Sequence, residues 1–476
     1  MVIKKSTFFI SLMNLIVLVM LIYYMISNWS REAAPSNWAI EISIIVLCVI
    51  IYQEILMFVR GITYRDFMFW FISFQYIFLF GRIFIKATGI DAHIMWELFR
   101  YYSDLSSYKT ALYLLTYSQA IFTGMAMITI NRTQSAALLE KKNRKYDANK
   151  MYFIGMNILI LTAPIKLYCN VMLIMAQKAG SYTGVSSVNG FISALSWMPI
   201  VGFVILICSN RISKKKVKLM IALFLVYEVF YMVASGDRRQ EIIGILTITL
   251  CYVQHYKYRM KIKSAFAFII VGLFVLNFLA TIRTGRIDGF NSISNFLYTF
   301  IKVGENNVIV ETLGEFGITF FTINSAVQYY PDQFSYVLGL GYLAGILIII
   351  PGLSTMLFPD IIYNGNIVDK LYYYDGRPLG GSIAQDFYAN FGVYGVVAAV
   401  VFGIVLSKLI ARKSNPAQID TARHYIFFFI CLNYIRAGFY EVSRPIAYAL
   451  ILIFLFGLIY KAPQFLVNRG ALKEGI

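Results

Sequence analysis

Long apolar segments dominate this sequence and leave few folds open to it. A membrane-spanning helix needs about 20 predominantly apolar residues, because in lipid every backbone polar group must be satisfied within the spanning structure. The chain is 59% hydrophobic and 14% charged, whereas about a quarter of the residues in soluble proteins are charged. The sequence therefore predicts an all-α polytopic membrane protein with about twelve transmembrane helices. The predicted spans are 8–28, 38–59, 67–86, 110–131, 151–176, 190–209, 218–235, 241–255, 264–282, 388–407, 425–441 and 445–460.

Positive charge is concentrated in loops on one side of these spans. Loops 132–150, 210–218, 255–263 and 408–424 are rich in Lys and Arg, and all four fall on the side of the N-terminus if twelve spans alternate. Because cytoplasmic loops carry an excess of Lys and Arg, we expect both termini in the cytoplasm. The same rule explains most of the net charge of +18, and no nucleic-acid-binding pattern accompanies it. The first apolar run lacks a cleavage site and is interpreted as a retained span.

The spans divide the chain into three parts. Residues 1–282 are predicted to form an N-terminal bundle of about nine spans, 283–387 a large extracytoplasmic loop, and 388–476 about three further spans and a cytoplasmic tail. Within the loop, the apolar run from Val337 to Ile350 is ended by Pro351. This run is too short to cross the membrane, so it predicts a re-entrant or interfacial helix.

A set of arginines breaks the charge rule, because they fall on the extracytoplasmic side, in or beside short turns. They are Arg238, Arg239, Arg283, Arg286, Arg377 and Arg444. Guanidinium groups gathered at a membrane surface are suited to an anionic lipid-linked ligand such as a pyrophosphate. The alternatives are snorkelling to lipid phosphates, or pairing of Arg238 and Arg239 with neighbouring carboxylates.

Arg436 differs from this set because it is predicted to lie inside the eleventh span. An arginine within the membrane requires a partner or a ligand. Glu228, midway along the seventh span, is a candidate structural partner for it. Lys166, in the fifth span, leaves the same two interpretations open.

The large loop adds carboxylates to these cations. A site that binds a pyrophosphate and activates a hydroxyl needs cations for the leaving group and a carboxylate as base. The loop 283–387 contains no histidine, and the chain has no metal-ligand spacing. We therefore expect neither a zinc site nor another cofactor.

Three features of the chain resemble the Wzy-type O-antigen and capsular oligosaccharide repeat-unit polymerases. Ser235-Gly236-Asp237-Arg238-Arg239 is similar to the Ser/Gly-x-Arg turn that closes a mid-chain span in that family. The large outer loop matches in place and length. The segment 380–392, GGSIAQDFYANFG, resembles the family's acidic-x-Tyr-x-Asn-Phe-Gly motif at the start of the following span.

The resemblance implies a membrane glycosyltransferase of the GT-C type in a bacterial cytoplasmic (inner) membrane, with its active site facing the periplasm or exterior. Such an enzyme transfers a growing glycan from undecaprenyl pyrophosphate to the non-reducing end of an incoming lipid-linked repeat unit, in O-antigen (lipopolysaccharide) or capsule biosynthesis. The implied partners are the undecaprenyl-pyrophosphate-linked oligosaccharide, membrane lipid, and a chain-length regulator and flippase of the same pathway.

The site expected on these grounds joins the arginines to one carboxylate. Arg238, Arg239, Arg283 and Arg286 bind the pyrophosphate and stabilise it as it leaves, and Arg377 and Arg436 complete the pocket. Asp386 or Glu315 deprotonates the acceptor hydroxyl, without a metal and with inversion at the anomeric carbon. The resemblance favours Asp386, for which the structural alternative is a helix N-cap. It also places Tyr388 and Asn390 among the substrate-binding residues.

Two other functions fit a polytopic membrane protein of this kind. A flippase or transporter of lipid-linked oligosaccharide is expected to carry inverted repeats and polar residues along a midplane path, and the sequence has no detectable repeat. An O-antigen ligase typically uses a histidine in the outer loop, which loop 283–387 lacks. Both remain alternatives to the polymerase.

Overall fold

The computed structural model describes residues 5–64, 66–90, 96–135, 148–178, 189–235, 239–256, 308–377, 379–410 and 418–473. These residues form helices joined by turns, with no β-strand among them. The first part contains α1 (Lys5–Trp29), α2 (Trp38–Val59), α3 (Phe67–Thr88), α4 (Asp104–Ser135), α5 (Ala148–Lys178), α6 (Gly190–Leu195), α7 (Met198–Cys208), α8 (Lys214–Ser235) and α9 (Arg239–His255). The large loop contains α10 (Val308–Phe316), α11 (Thr319–Tyr329), α12 (Leu340–Leu347), α13 (Leu353–Leu357), α14 (Pro359–Gly365) and α15 (Ile367–Asp375). The last part contains α16 (Ile383–Phe391), α17 (Gly395–Ile410), α18 (Gln418–Tyr434) and α19 (Phe439–Lys473).

Nine helical segments within the described ranges are long and apolar enough to cross a membrane. This confirms an all-helical, multi-pass membrane protein, while the count of twelve and the orientation remain predictions. Two further predicted spans, 241–255 and 425–441, overlap α9 and α18, which have 17 residues each. The predicted span 264–282 lies outside the described residues.

Helix α4 forms the centre of the bundle. In its spanning window 89% of the residues are buried although its mean hydropathy is only 1.3, whereas α2 has a mean hydropathy of 2.5 and 33% buried. The hydroxyls of Thr110, Thr116 and Thr123 bond to carbonyls one turn back in the same helix. A helix surrounded by protein tolerates such side chains because they are satisfied, whereas lipid-facing helices must be apolar.

The segment 308–375 packs onto one end of the bundle, which we call the loop face. Helices α10 and α11 lie against α3 and α4, with Phe316 packed on Phe78 and Asn324 bonded to Ser107 at 2.9 Å. The short helix predicted within 337–350 is present as the eight-residue α12. The turn after it is bound to α19, because Arg444 Nε donates to the Ile348 carbonyl at 2.8 Å.

Three predicted boundaries near the C-terminus are wrong. The tenth span begins at Ile383 rather than residue 388, the eleventh helix is 418–434 rather than 425–441, and the last helix is 439–473 rather than 445–460. The predicted break at 441–444 is therefore inside α19, and the observed break is Ile435–Gly438. Contacts between distant segments of the chain set these helix ends.

Candidate active site at the loop face

Asp386 lies in the first turn of α16, on the segment GGSIAQDFYANFG. The N-cap of this helix is Ser382, whose hydroxyl accepts a hydrogen bond from the Ala384 amide at 3.2 Å. Asp386 is thus inside the helix, and the interpretation of Asp386 as the N-cap of its own helix is wrong. Its side chain is free to point at another element.

That element is the turn between α18 and α19, which we call the 434–439 turn. Asp386 Oδ2 accepts from the Phe439 amide at 2.6 Å and from the Tyr434 hydroxyl at 3.3 Å. Asp386 is 5% exposed. Because Phe439 is the first residue of α19, the carboxylate satisfies one of the amides left unpaired at a helix start, and negative charge is stabilising there.

Three glycines allow this contact to form. A Cβ at Gly381 would overlap the Gly438 amide, so the segment before α16 meets the 434–439 turn backbone to backbone. The preceding Gly380 has a φ of 77°, which favours glycine. Two of the arginine-bearing motifs identified in the sequence, around Arg377 and around Arg436, are therefore neighbours in space.

Arg436 lies in the 434–439 turn and not within a helix, which corrects the prediction that it is buried in the eleventh span. Its guanidinium carbon is 5.6 Å from the ring centroid of Phe78 on α3. It does not use Glu228, because Glu228 bonds to Lys166 at 2.7 Å. Glu228 is thus the partner of Lys166, and the predicted pair of Arg436 with Glu228 is wrong.

The α3 side of the site holds a residue that the sequence analysis missed. Arg82 is fully buried, one helical turn from Phe78, and its backbone packs against Gly317 between α10 and α11. Glu315, the second predicted base, is on α10 beside Phe316 and is 9% exposed. Arg82 had a usable signal, since an ionisable residue inside an apolar run is a functional candidate.

Arg377 is held by an aromatic and acidic pocket. Its guanidinium forms an ion pair with Asp375 and lies 4.4 Å and 4.8 Å from the ring centroids of Tyr101 and Tyr102. The Tyr102 hydroxyl donates to Asp375 Oδ2 at 2.5 Å. Burial, and then Asp375, raise the pKa of Tyr102 above its ordinary value, so the hydroxyl remains a donor. Arg377 has 23% of its side chain exposed, which leaves one side open to a ligand.

Tyr388 and Asn390 are buried in α16 and bind protein groups. The Asn390 side chain accepts from the Gly339 amide at 2.8 Å and donates to the Asp386 carbonyl at 2.7 Å. The Tyr388 ring packs edge-on against Tyr113 with centroids 5.0 Å apart. The Gly339 contact fixes the segment before α12 to the end of α16. Their predicted contact with substrate remains a prediction.

The remaining predicted arginines are outside what the structure describes. Arg238, Arg283 and Arg286 fall in undescribed segments, and of Arg239 only the backbone, at the start of α9, is described. Glu241, one of the carboxylates that neighbour Arg238 and Arg239 in the sequence, is buried, and its Oε1 lies 3.9 Å from Lys166 Nζ.

The described part of the site combines cations with a buried carboxylate. Asp386 bonds to the turn that contains Arg436, and the Arg436 guanidinium lies against Phe78 of α3. Phe78 also packs on Phe316, the residue that follows Glu315 on α10. No group of three or more His, Cys, Asp or Glu side chains with metal-binding geometry occurs among the described residues. The arrangement offers a base and delocalised positive charge, which are the groups required for transfer from an anionic leaving group.

The fold and the site define a multi-pass helical membrane protein with cations and a carboxylate gathered at one face. The chain belongs to the family described as O-antigen polysaccharide polymerase Wzy, whose sequence profile matches residues 7–463. This confirms the resemblance and supports a glycosyltransferase-type polymerase acting on lipid-linked oligosaccharide. No curated protein and no solved structure matches the chain.

Proposed function

We propose that the protein polymerises lipid-linked oligosaccharide repeat units at the outer face of a bacterial cytoplasmic membrane. It transfers the growing glycan from undecaprenyl pyrophosphate to the non-reducing end of an incoming lipid-linked unit. Membership of the O-antigen polymerase family supports the reaction class. The observation that carries the choice of site is the contact of Asp386 with the 434–439 turn, which contains Arg436.

In this proposal Asp386 is the general base. The acceptor hydroxyl loses its proton to the Asp386 carboxylate while its oxygen attacks the anomeric carbon of the donor. The bond from that carbon to the pyrophosphate oxygen breaks, and undecaprenyl pyrophosphate leaves with the electron pair. A single displacement inverts the configuration of the anomeric carbon. Glu315 is the alternative base.

The arginines stabilise the charge that develops on the leaving pyrophosphate. Guanidinium groups bind phosphate oxygens in a bidentate manner, so they supply the positive charge that a divalent metal provides in other sugar transfers. Arg436 and Arg377 belong to this group, together with the predicted Arg238, Arg239, Arg283 and Arg286. We add Arg82, a buried arginine on α3 that lies one helical turn from Phe78, the residue that the Arg436 guanidinium contacts.

The positive-inside rule supports the orientation. The loops rich in Lys and Arg are expected in the cytoplasm, which favours a loop face on the outside, where repeat units arrive after transfer across the membrane. A flippase that delivers the units and a regulator of chain length are the expected functional partners.

Replacement of Arg377 by alanine, and in parallel of Arg239 and Arg283, tests the proposal. Cells expressing each variant are compared for long-chain polysaccharide and for single repeat units at matched protein levels. We expect loss of the long-chain ladder and accumulation of lipid-linked single units on the outer leaflet. Normal ladders in all three variants would refute the site, and retention of units on the inner leaflet would indicate a flippase.

A further inference from the structure

A groove lies apart from the loop-face site, between α5, α7 and α8. Its volume is about 340 Å³. Leu159 and Ala163 of α5, Phe203 of α7 and Leu223 of α8 are among the residues that form its apolar wall. Polar side chains occur at one end only, where Lys166, Tyr227 and Glu228 line it. We call this feature the α5–α8 groove.

At the polar end of the groove, hydrogen bonds and an ion pair fix the spacing between α5 and α8. Lys166 bonds to Glu228 at 2.7 Å, and Asn170 donates to the Tyr227 hydroxyl at 2.6 Å. Next to Lys166, Ala163 fills little space, and Pro164 interrupts the hydrogen bonding of α5, which favours a bend. Helices α5 and α8 are therefore linked at the polar end, while the groove between them stays open.

The opposite wall is sealed. Gly155 of α5 and Gly202 of α7 approach so closely that an added Cβ at either would lie within 3.0 Å of the other's carbonyl oxygen. Small residues permit such close helix contacts in membranes. The groove consequently opens between α5 and α8 and not into the centre of the bundle.

The opening faces the lipid. Leu167 and Leu223 at the rim are 51% and 62% exposed, and so are neighbouring apolar side chains of both helices, such as Ile160 and Val226. Exposed aliphatic residues on a spanning helix contact acyl chains. A ligand that enters here must therefore be a lipid-soluble chain.

The direction of the groove indicates which lipid chain could occupy it. It follows α5 from Leu159 to Leu167, a rise of roughly 12 Å at 1.5 Å per residue. Its polar end points to the loop face, since farther along α5 Cys169 contacts the Ile192 carbonyl of α6, next to the Gly190 that packs on Arg444. The end of α8 on this side, Ser235, directly precedes the Arg238–Arg239 motif.

The charges at the polar end favour a lipid headgroup that lies beyond this end of the groove and not inside it. Lys166 is already neutralised by Glu228, and Glu241 of α9 is 3.9 Å away. One cation facing two carboxylates does not attract a phosphate. An apolar chain whose pyrophosphate lies at the loop face, beyond the polar end of the groove, would run along the groove past these residues.

We propose that the α5–α8 groove holds the first isoprenoid units of the polyprenyl chain of the lipid-linked substrate. The choice of occupant rests on the proposed polymerase function. The groove positions the lipid so that its pyrophosphate reaches the arginines at the loop face.

The test measures lipid binding to the purified full-length protein by native mass spectrometry, with undecaprenyl phosphate as the probe and phosphatidylglycerol as competitor. Ala163→Trp fills the groove, and Leu223→Trp obstructs it from an exposed position that is compatible with folding. Leu219→Trp is the matched control, because Leu219 is 60% exposed on the same helix and does not line the groove. We expect undecaprenyl phosphate to bind at least about tenfold more weakly to both groove variants, and unchanged to the control.

The proposal is overturned if Leu223→Trp binds the probe as the wild type does, or if phosphatidylglycerol displaces the probe at equal concentration. Asp386→Asn separates this inference from the polymerase function, since it should bind the probe normally. If binding of the probe depends on the groove but the wild-type protein forms no polymer, the polymerase function is refuted and the lipid groove is not. Normal polymerisation and normal binding by Leu223→Trp would refute the groove alone.

Discussion

The substitution Asp386→Asn separates two roles that the structure gives to one side chain. Asp386 holds the start of α19 by accepting from the Phe439 amide at 2.6 Å, and it is the proposed general base. An asparagine of the same shape retains a carbonyl oxygen that accepts this bond, but it cannot take a proton at neutral pH. The variant therefore preserves the structural contact and removes the chemistry.

The two roles differ in magnitude. Loss of a general base lowers the rate by about 10²–10⁴-fold, so no polymer ladder should form on the time scale of the wild type. Loss of a helix cap costs about 0.5–2 kcal/mol of stability, and asparagine caps as well as aspartate. We therefore expect Asp386→Asn to unfold within a few degrees of the wild type while losing polymerisation.

Ser382→Ala is the matched control. It removes the N-cap of α16, the hydroxyl that accepts from the Ala384 amide, and leaves every carboxylate in place. It should lower the melting temperature and retain polymerisation. Both variants are measured by thermal unfolding in detergent and by the polymer ladder from lipid-linked repeat units. A normal ladder from Asp386→Asn would refute the assignment of the base and leave Asp386 as a structural residue.

Two further predictions concern the loop face. Arg377→Ala leaves the buried Asp375 without its ion-pair partner and should destabilise the protein by about 1–3 kcal/mol. Addition of Asp375→Asn should restore the melting temperature but not polymerisation. Full activity of this double variant would exclude a role of Arg377 in binding. Gly317→Ala places a Cβ against the backbone of Arg82 and should lower the free energy of unfolding by about 1–3 kcal/mol in the same unfolding assay. Gly457→Ala is the control, because a Cβ at Gly457 has its nearest neighbour 3.5 Å away and should leave the stability unchanged. Equal melting temperatures of the two variants would contradict the docking of α10 and α11 on α3.

Hydropathy predicts where the helices are, because lipid demands continuous apolar segments. It does not predict which of them face lipid: α4, the most buried, has the lowest mean hydropathy of the nine candidate spans. Helix ends near the site are also missed, because distant groups determine them. The start of α19 depends on Asp386, 53 residues earlier in the chain.

The candidate site was predictable in composition more than in geometry. The sequence predicted Arg377 at the extracytoplasmic side and Arg436 inside the eleventh span, and the structure brings the segments that carry them together through Gly381 and Gly438. Sequence spacing does not show that Arg377 stacks on tyrosines of a distant segment, nor that Lys166 is the partner of Glu228. Those pairings arise only when helices pack.

Reconstitution of the purified protein with one lipid-linked repeat unit tests the central claim most directly. The account predicts a ladder of glycans on undecaprenyl pyrophosphate, with one undecaprenyl pyrophosphate released per linkage, unchanged by EDTA and absent with Asp386→Asn. Movement of the single unit between leaflets without any increase in glycan length would contradict it.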